Sequence, residues 1–168
     1  MFAIAILSTL LTIAYGVLHD QVTIRICPEY FTVFHPHLID TDSLTVLAAA
    51  WGVVATWWVG LPFGLALGLA ATMGARPKRS VGHVVSSVAI ALGFTAGAAA
   101  LAGMLGFIAA STRNVFVVGP LAGEIPTSHH APFIAVLWTH LASYGIGGLA
   151  GAVLVVRTWK SRRIPAPA

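Results

Sequence analysis

Four long stretches of the chain are almost wholly apolar, and most of its polar residues fall between them. The apolar runs cover Phe2–Leu18, Leu44–Met73, Val81–Ala110 and Ala131–Val156. A bilayer core of ~30 Å is crossed by about 20 helical residues. The last three runs exceed what the core helix of a soluble domain needs. The pattern predicts an all-α integral membrane bundle of four transmembrane helices, over about residues 2–20, 44–74, 81–111 and 131–157. All of it forms one domain, residues 1–168, with no internal repeat and no linker. The connecting pieces are an outer segment over 21–43, a tight turn over 75–80, an irregular loop containing Pro120, Gly123 and Pro126, and a disordered IPAPA tail over 164–168.

The first run also has features of a secretory signal, with Ala14 and Gly16 as small residues before a cut. A signal peptide starts with a basic stretch, and nothing basic precedes Arg25. It is therefore read as a retained helix. Composition supports the membrane class. Hydrophobic residues make up 58% of the chain and charged ones 8%, too few to clothe four such helices in water. Small residues at four-residue spacing predict close helix packing: Gly60, Gly64 and Gly68, then Gly93 and Gly97, then Gly147 and Gly151. The five tryptophans, Trp51, Trp57, Trp58, Trp138 and Trp159, suit interfacial belts.

Charge adds an orientation. Arg76, Lys78, Arg79, Arg157, Lys160, Arg162 and Arg163 are seven of the nine basic residues, and all lie at one end of the bundle. The five acids, Asp20, Glu29, Asp40, Asp42 and Glu124, lie at the other. Basic residues concentrate in short cytoplasmic loops, which predicts an N-in, C-in protein of a bacterial inner membrane. The net charge of +4 is on this reading a topology signal, and nucleic acid is not expected as a partner. The expected partners are membrane lipid and a protein partner or second copy of the chain. The single cysteine, Cys27, excludes an internal disulfide.

The chemistry concentrates in HDQVTIRICPEYFTVFHPH, His19–His37, which holds Asp20, Arg25, Glu29, Cys27 and three of the seven histidines. Counting about 20 residues from each basic end puts His19, Thr56–Trp57 and Trp138–His140 at one depth. An ionisable residue within a span is costly and usually faces a partner in the bundle interior. His140 is such a residue, and His19 is its natural partner. Tyr15 and Tyr144 each lie one turn further in, within reach of a histidine pair or a bound ligand. His19, Asp20, Glu29, His35, His37 and His140 are side-chain types that bind divalent transition metals. Glu29 also stands four residues from Arg25, the spacing of a helical ion pair. His129–His130 is an adjacent pair that could join an outer metal site.

The run HDQVTIRICPEYFT from His19 to Thr32, followed by His35, resembles a motif of an uncharacterised family of small bacterial multi-helix inner-membrane proteins. In that family a helix, H-D-Q, E-Y-F-T and a second helix follow one another near the N-terminus. The motif covers roughly a tenth of the chain. The resemblance implies a multi-helix inner-membrane protein and brings no substrate, activity or cofactor with it. Three functional classes follow from the residues. The first is a polar, metal-binding pocket at the outer leaflet, built by the 19–37 segment folding over His140. The second is a redox subunit with haem held by His19 and His140. The third is an accessory or scaffold subunit whose outer segment binds a protein. No phosphate-binding loop and no serine–histidine–acid pattern occurs.

Overall fold

The computed structural model describes residues 1–162, so the expected disordered tail lies outside the described residues. Four helices are long and apolar enough to cross a membrane: α1 (Phe2–Ile26), α2 (Leu44–Thr72), α3 (Val81–Ser111) and, after the short α4 (Leu121–Glu124), α5 (His130–Ser161). No strand occurs among the described residues. The chain is an all-α bundle of the multi-pass type. Its outward side chains agree with that. Ile90, Leu18, Phe94 and Leu149 are about two-thirds or more exposed, a surface that water would penalise and lipid would not.

Local chemistry sets the helix ends. Ser43 and Ser80 cap α2 and α3, their hydroxyls accepting from the backbone N–H of Val46 and His83. Gly74, at φ +79°, turns the chain away after α2. Alpha2 runs through Pro62 without interruption. Alpha1 continues six residues beyond the expected boundary at 20, to Ile26, and stops where Cys27 takes the extended conformation that precedes Pro28. The extension puts Gln21, Thr23 and Arg25 on a helix rather than in the outer segment. It also removes the expected Arg25–Glu29 pairing. Arg25 instead donates to the Gln21 side chain and carbonyl, and at 2.9 Å to the Thr45 hydroxyl, tying α1 to the start of α2.

Alpha1 packs mainly on α2 and α3 on α5, and the two pairs meet more loosely. Lipid tails are as apolar as leucine, so association rests on close backbone approach. The α1–α2 seam uses Gly16, Gly52, Gly60, Gly64 and Gly68. A Cβ on Gly52 would stand 2.5 Å from the Cα of Val17, and one on Gly64 would stand 2.7 Å from the carbonyl of Ala5. The α3–α5 seam uses Gly103 and Gly106 against Thr139 and Trp138. Gly93 and Gly97 make no such contact. A Cβ there meets nothing within 4 Å, so the expected packing role does not hold for that pair.

Side chains pack densely at both ends. At the basic end Ile4, Leu67, Ala71, Val84 and Val88 form a buried cluster. At the loop end Ile24, Tyr30, Phe31, Ile125, Phe133 and Ile134 belong to a larger one. Arg162, one of the seven basic residues at this end of the bundle, turns inward. It is buried at 1% exposure and donates to the carbonyls of Ala70, Met73, Arg76 and Pro77 at 2.8–2.9 Å. These include carbonyls that the last turn of α2 leaves without helical donors. The tryptophans also divide. Trp57 and Trp58 are exposed as a belt requires, and Trp159 lies under the Arg76 and Arg162 guanidiniums at 4.8 and 5.5 Å. Trp138 instead fills the α3–α5 seam beside Gly106, and Trp51 packs against His35 at 4.9 Å between ring centroids.

Candidate metal centre near the loop end of the bundle

His19 and Asp20 sit on α1, and His140 comes from α5. Ligand atoms of the three lie within 4.8 Å of one another. The His19 and His140 rings meet edge to face with centroids 4.7 Å apart. Asp20 Oδ1 is 3.2 Å from His140 Nε2, and the two side chains are 6% and 12% exposed. The juxtaposition of His19 and His140 expected from their depth is therefore present. Asp20 joins them because α1 remains helical through that residue.

The hydrogen bonds around the cluster constrain its protons. His140 Nδ1 is 2.9 Å from the carbonyl of Val136. A carbonyl only accepts, so Nδ1 must carry the hydrogen. In the neutral ring Nε2 is then a lone-pair atom, and it points at a carboxylate oxygen, a second acceptor. Two acceptors at 3.2 Å need a positive centre between them: a proton or a metal ion. On the other side of the cluster His19 Nε2 is buried and has no hydrogen-bond partner. Its Nδ1 lies 3.5 Å from the Tyr15 hydroxyl, which is 2.6 Å from the Ser143 hydroxyl. With Nε2 free as a ligand atom, Nδ1–H donates to Tyr15 and Tyr15 donates to Ser143. Both histidines thus have the outer hydrogen bond that orients a metal-ligating imidazole.

The donor set fits a divalent ion. Two imidazoles and one carboxylate, with positions left open, suit zinc or a non-haem iron. Metal bonds of ~2.0–2.2 Å at tetrahedral angles hold ligand atoms about 3.3–3.6 Å apart, so closing on an ion draws the widest pair, within 4.8 Å, together by up to about 1.5 Å. Haem with both histidines as axial ligands does not fit this arrangement: imidazoles on opposite faces of one iron hold their ring centroids about 6 Å apart, and these stand 4.7 Å apart, edge to face.

The remaining candidates are placed elsewhere. His35 Nδ1 is spent on the carbonyl of Tyr30 at 2.7 Å. Glu29 takes the Nδ1 hydrogen of His129 at 2.6 Å and the thiol hydrogen of Cys27 at 3.2 Å. His37 is exposed and outside the cluster. His130 Nε2 is 3.0 Å from the carbonyl of Ile125. The Tyr144 hydroxyl donates to the carbonyl of Ala55 at 3.2 Å, whereas Tyr15 does reach the cluster. Burial, with the Glu29 hydrogen bond next, pushes the Cys27 thiol up to about 12, which keeps it protonated and unreactive. Burial acts to raise the Glu29 carboxyl, but its backbone N–H, His129 and Cys27 together hold it below its ordinary value. The 27–43 segment does fold over the bundle mouth, but its lid is aromatic rather than polar. After Pro28 the chain makes a π-helical turn, Tyr30–Phe34, the rare form often found at functional sites. It lays Tyr30 flat on His140 at 4.4 Å and sets Phe31 edge-on at 5.8 Å. Tyr30 and Phe31 stand in the E-Y-F-T stretch and Ser143 one turn in from His140, but nothing in the sequence marks them as neighbours of the cluster.

Below the cluster a cavity of about 120 Å³ runs between the two helix pairs. His19, Asp20, His140, Tyr15 and Ser143 line its upper part, and Phe63, Leu67, Val88, Leu92 and Leu154 its lower part. Comparison of the chain with protein-family models, curated proteins and solved structures finds no match.

Proposed function

We propose that this is a bacterial inner-membrane protein that holds a divalent transition metal ion within its outer half, on His19, Asp20 and His140, under a lid formed by Tyr30 and Phe31. The observation that carries the reading is the unresolved pair of acceptors, His140 Nε2 and Asp20 Oδ1 at 3.2 Å, beside a buried His19 Nε2 with no partner. One cation meets the needs of all three. The acceptor pair alone would also be met by a proton, but that leaves His19 Nε2 unsatisfied, and a buried unsatisfied nitrogen costs ~1–3 kcal/mol. An ion held by these three residues, all of which line the cavity, would be open to it. There it would act as a Lewis acid on a bound oxygen, while the chain's residues orient the ligand imidazoles and exclude water. Protein purified in detergent after growth in metal-replete medium should carry about one divalent ion per chain, read by elemental analysis. A metal-free protein that gains no stability from added zinc or iron would overturn the reading.

The inner-membrane orientation belongs to the same proposal and rests on the seven basic residues at one end. Reporter fusions at Lys78 and after the last residue should be active on the cytoplasmic side, and one at Asp40 on the periplasmic side. A periplasmic C-terminus would move the metal centre to the inner leaflet.

A further inference from the structure

The cavity under the cluster has one polar end and one apolar end. From His19 to Ser8, the residues of α1 that line it at its two extremes, is eleven helical positions, or ~16 Å. Its volume of about 120 Å³ is close to that of the ~150 Å³ engineered apolar cavity that takes benzene, but drawn out over that length. That volume encloses about the first five or six carbons of a slender chain, and the rest of a longer chain leaves beside Tyr144. The small side of the lining is made by Gly60, Gly64, Gly147, Gly148 and Gly151. Of these, Gly148 has nothing within 4 Å of where a Cβ would stand. Tyr144 lines the cavity and is 44% exposed on the flank of the bundle, so the space reaches the surface that faces lipid.

Charge selects the head of the ligand. A divalent ion less the Asp20 carboxylate leaves one net positive charge in a low-dielectric site, and an anionic oxygen ligand neutralises it. We infer that the cavity binds a single-chain fatty carboxylate drawn from the bilayer, with its carboxylate on the metal and its tail between the helix pairs. The inference rests on the metal reading for the head and on the cavity alone for the tail.

Native mass spectrometry of the full chain released from detergent, with zinc and dodecanoate as probes, reads both parts in one spectrum. The parent protein should carry one zinc and one dodecanoate. It should bind dodecyltrimethylammonium, the same chain with a cationic head, at least about tenfold more weakly. Gly148→Phe and, independently, Ala91→Phe place a side chain in the cavity and should lose dodecanoate while keeping zinc. Thermal unfolding of each variant checks that it folds. Dodecanoate bound without zinc and lost in the filled variants would support the tail site and defeat the metal reading. Zinc bound without dodecanoate, or dodecanoate retained equally in both filled variants, would overturn the inference and leave the metal reading standing.

Discussion

Asp20→Asn is expected to lower metal affinity at least about a hundredfold, and to leave the metal-free protein as stable as its parent or slightly more so. The two halves of this result come from the same geometry. Altering a group that only orients a metal ligand costs 10–100-fold in affinity, so losing the sole carboxylate among three ligands costs at least the upper part of that range. Without metal, the parent holds two acceptors 3.2 Å apart. An asparagine amide of the same shape donates to His140 Nε2 and removes the conflict. A plain buried ion pair makes the opposite prediction. If His140 were a cation paired with Asp20, removing the carboxylate would strand a buried charge and cost ~3–5 kcal/mol. Zinc titration of the two proteins, with denaturant unfolding of both in chelator, separates the cases. His140→Ala should also lose the metal, but it opens a space under Tyr30, so its stability is less informative. A metal-free Asp20→Asn protein that unfolds several kcal/mol more easily than its parent would mean that a proton, not a metal, is the native occupant.

The helix count and the pairing of His19 with His140 were legible because both depend on length. A bilayer fixes how many apolar residues make a span, and counting from the basic ends matches depths across helices. The rest of the site depends on things that residue counting does not carry. Asp20 partners His140 because it follows His19 on α1, which runs to Ile26, and residue type alone did not mark which carboxylate of the 19–37 segment reaches His140. Glu29 and His35 looked like ligands by type. Their protons and lone pairs are instead used by His129, Cys27 and the Tyr30 carbonyl, partners up to a hundred residues away in sequence or set by an irregular turn. Tyr30 had a residue type but no period to reveal it, since a π-helical turn shares the spacing of neither helix nor strand. The glycines show the same limit. Gly52 and Gly93 both stand in apolar helices, yet one meets a backbone and the other open space.

That last contrast gives a second large effect. Gly52→Ala is expected to destabilise the bundle by about 2 kcal/mol and to release the metal, whereas Gly93→Ala is expected to be neutral or to stabilise by up to about 1 kcal/mol. In both, alanine gains ~1 kcal/mol of helix propensity over glycine. At Gly93 nothing opposes that gain, since no atom lies within 4 Å of the new methyl group. At Gly52 the methyl carbon falls 2.5 Å from the Cα of Val17, against a normal carbon separation of ~3.5–4.0 Å. The neighbour is backbone and cannot rotate away, so α1 and α2 must part by about 1 Å. Contacts along the seam weaken with that separation, from Gly16 down toward Gly60. Overpacking of this kind costs 1–3 kcal/mol and occasionally more, so the clash outweighs the propensity gain. Gly16 and Val17 lie within one turn of His19 and Asp20 on the same helix. Displacing α1 there shifts two ligands relative to His140 on α5, and a metal site tolerates only tenths of an ångström. Unfolding both variants by the same detergent titration, with bound zinc measured alongside, tests the link. Equal stability of Gly52→Ala and Gly93→Ala would show that α1 and α2 do not meet at van der Waals contact, and would remove the rigid seam on which the geometry of the centre depends.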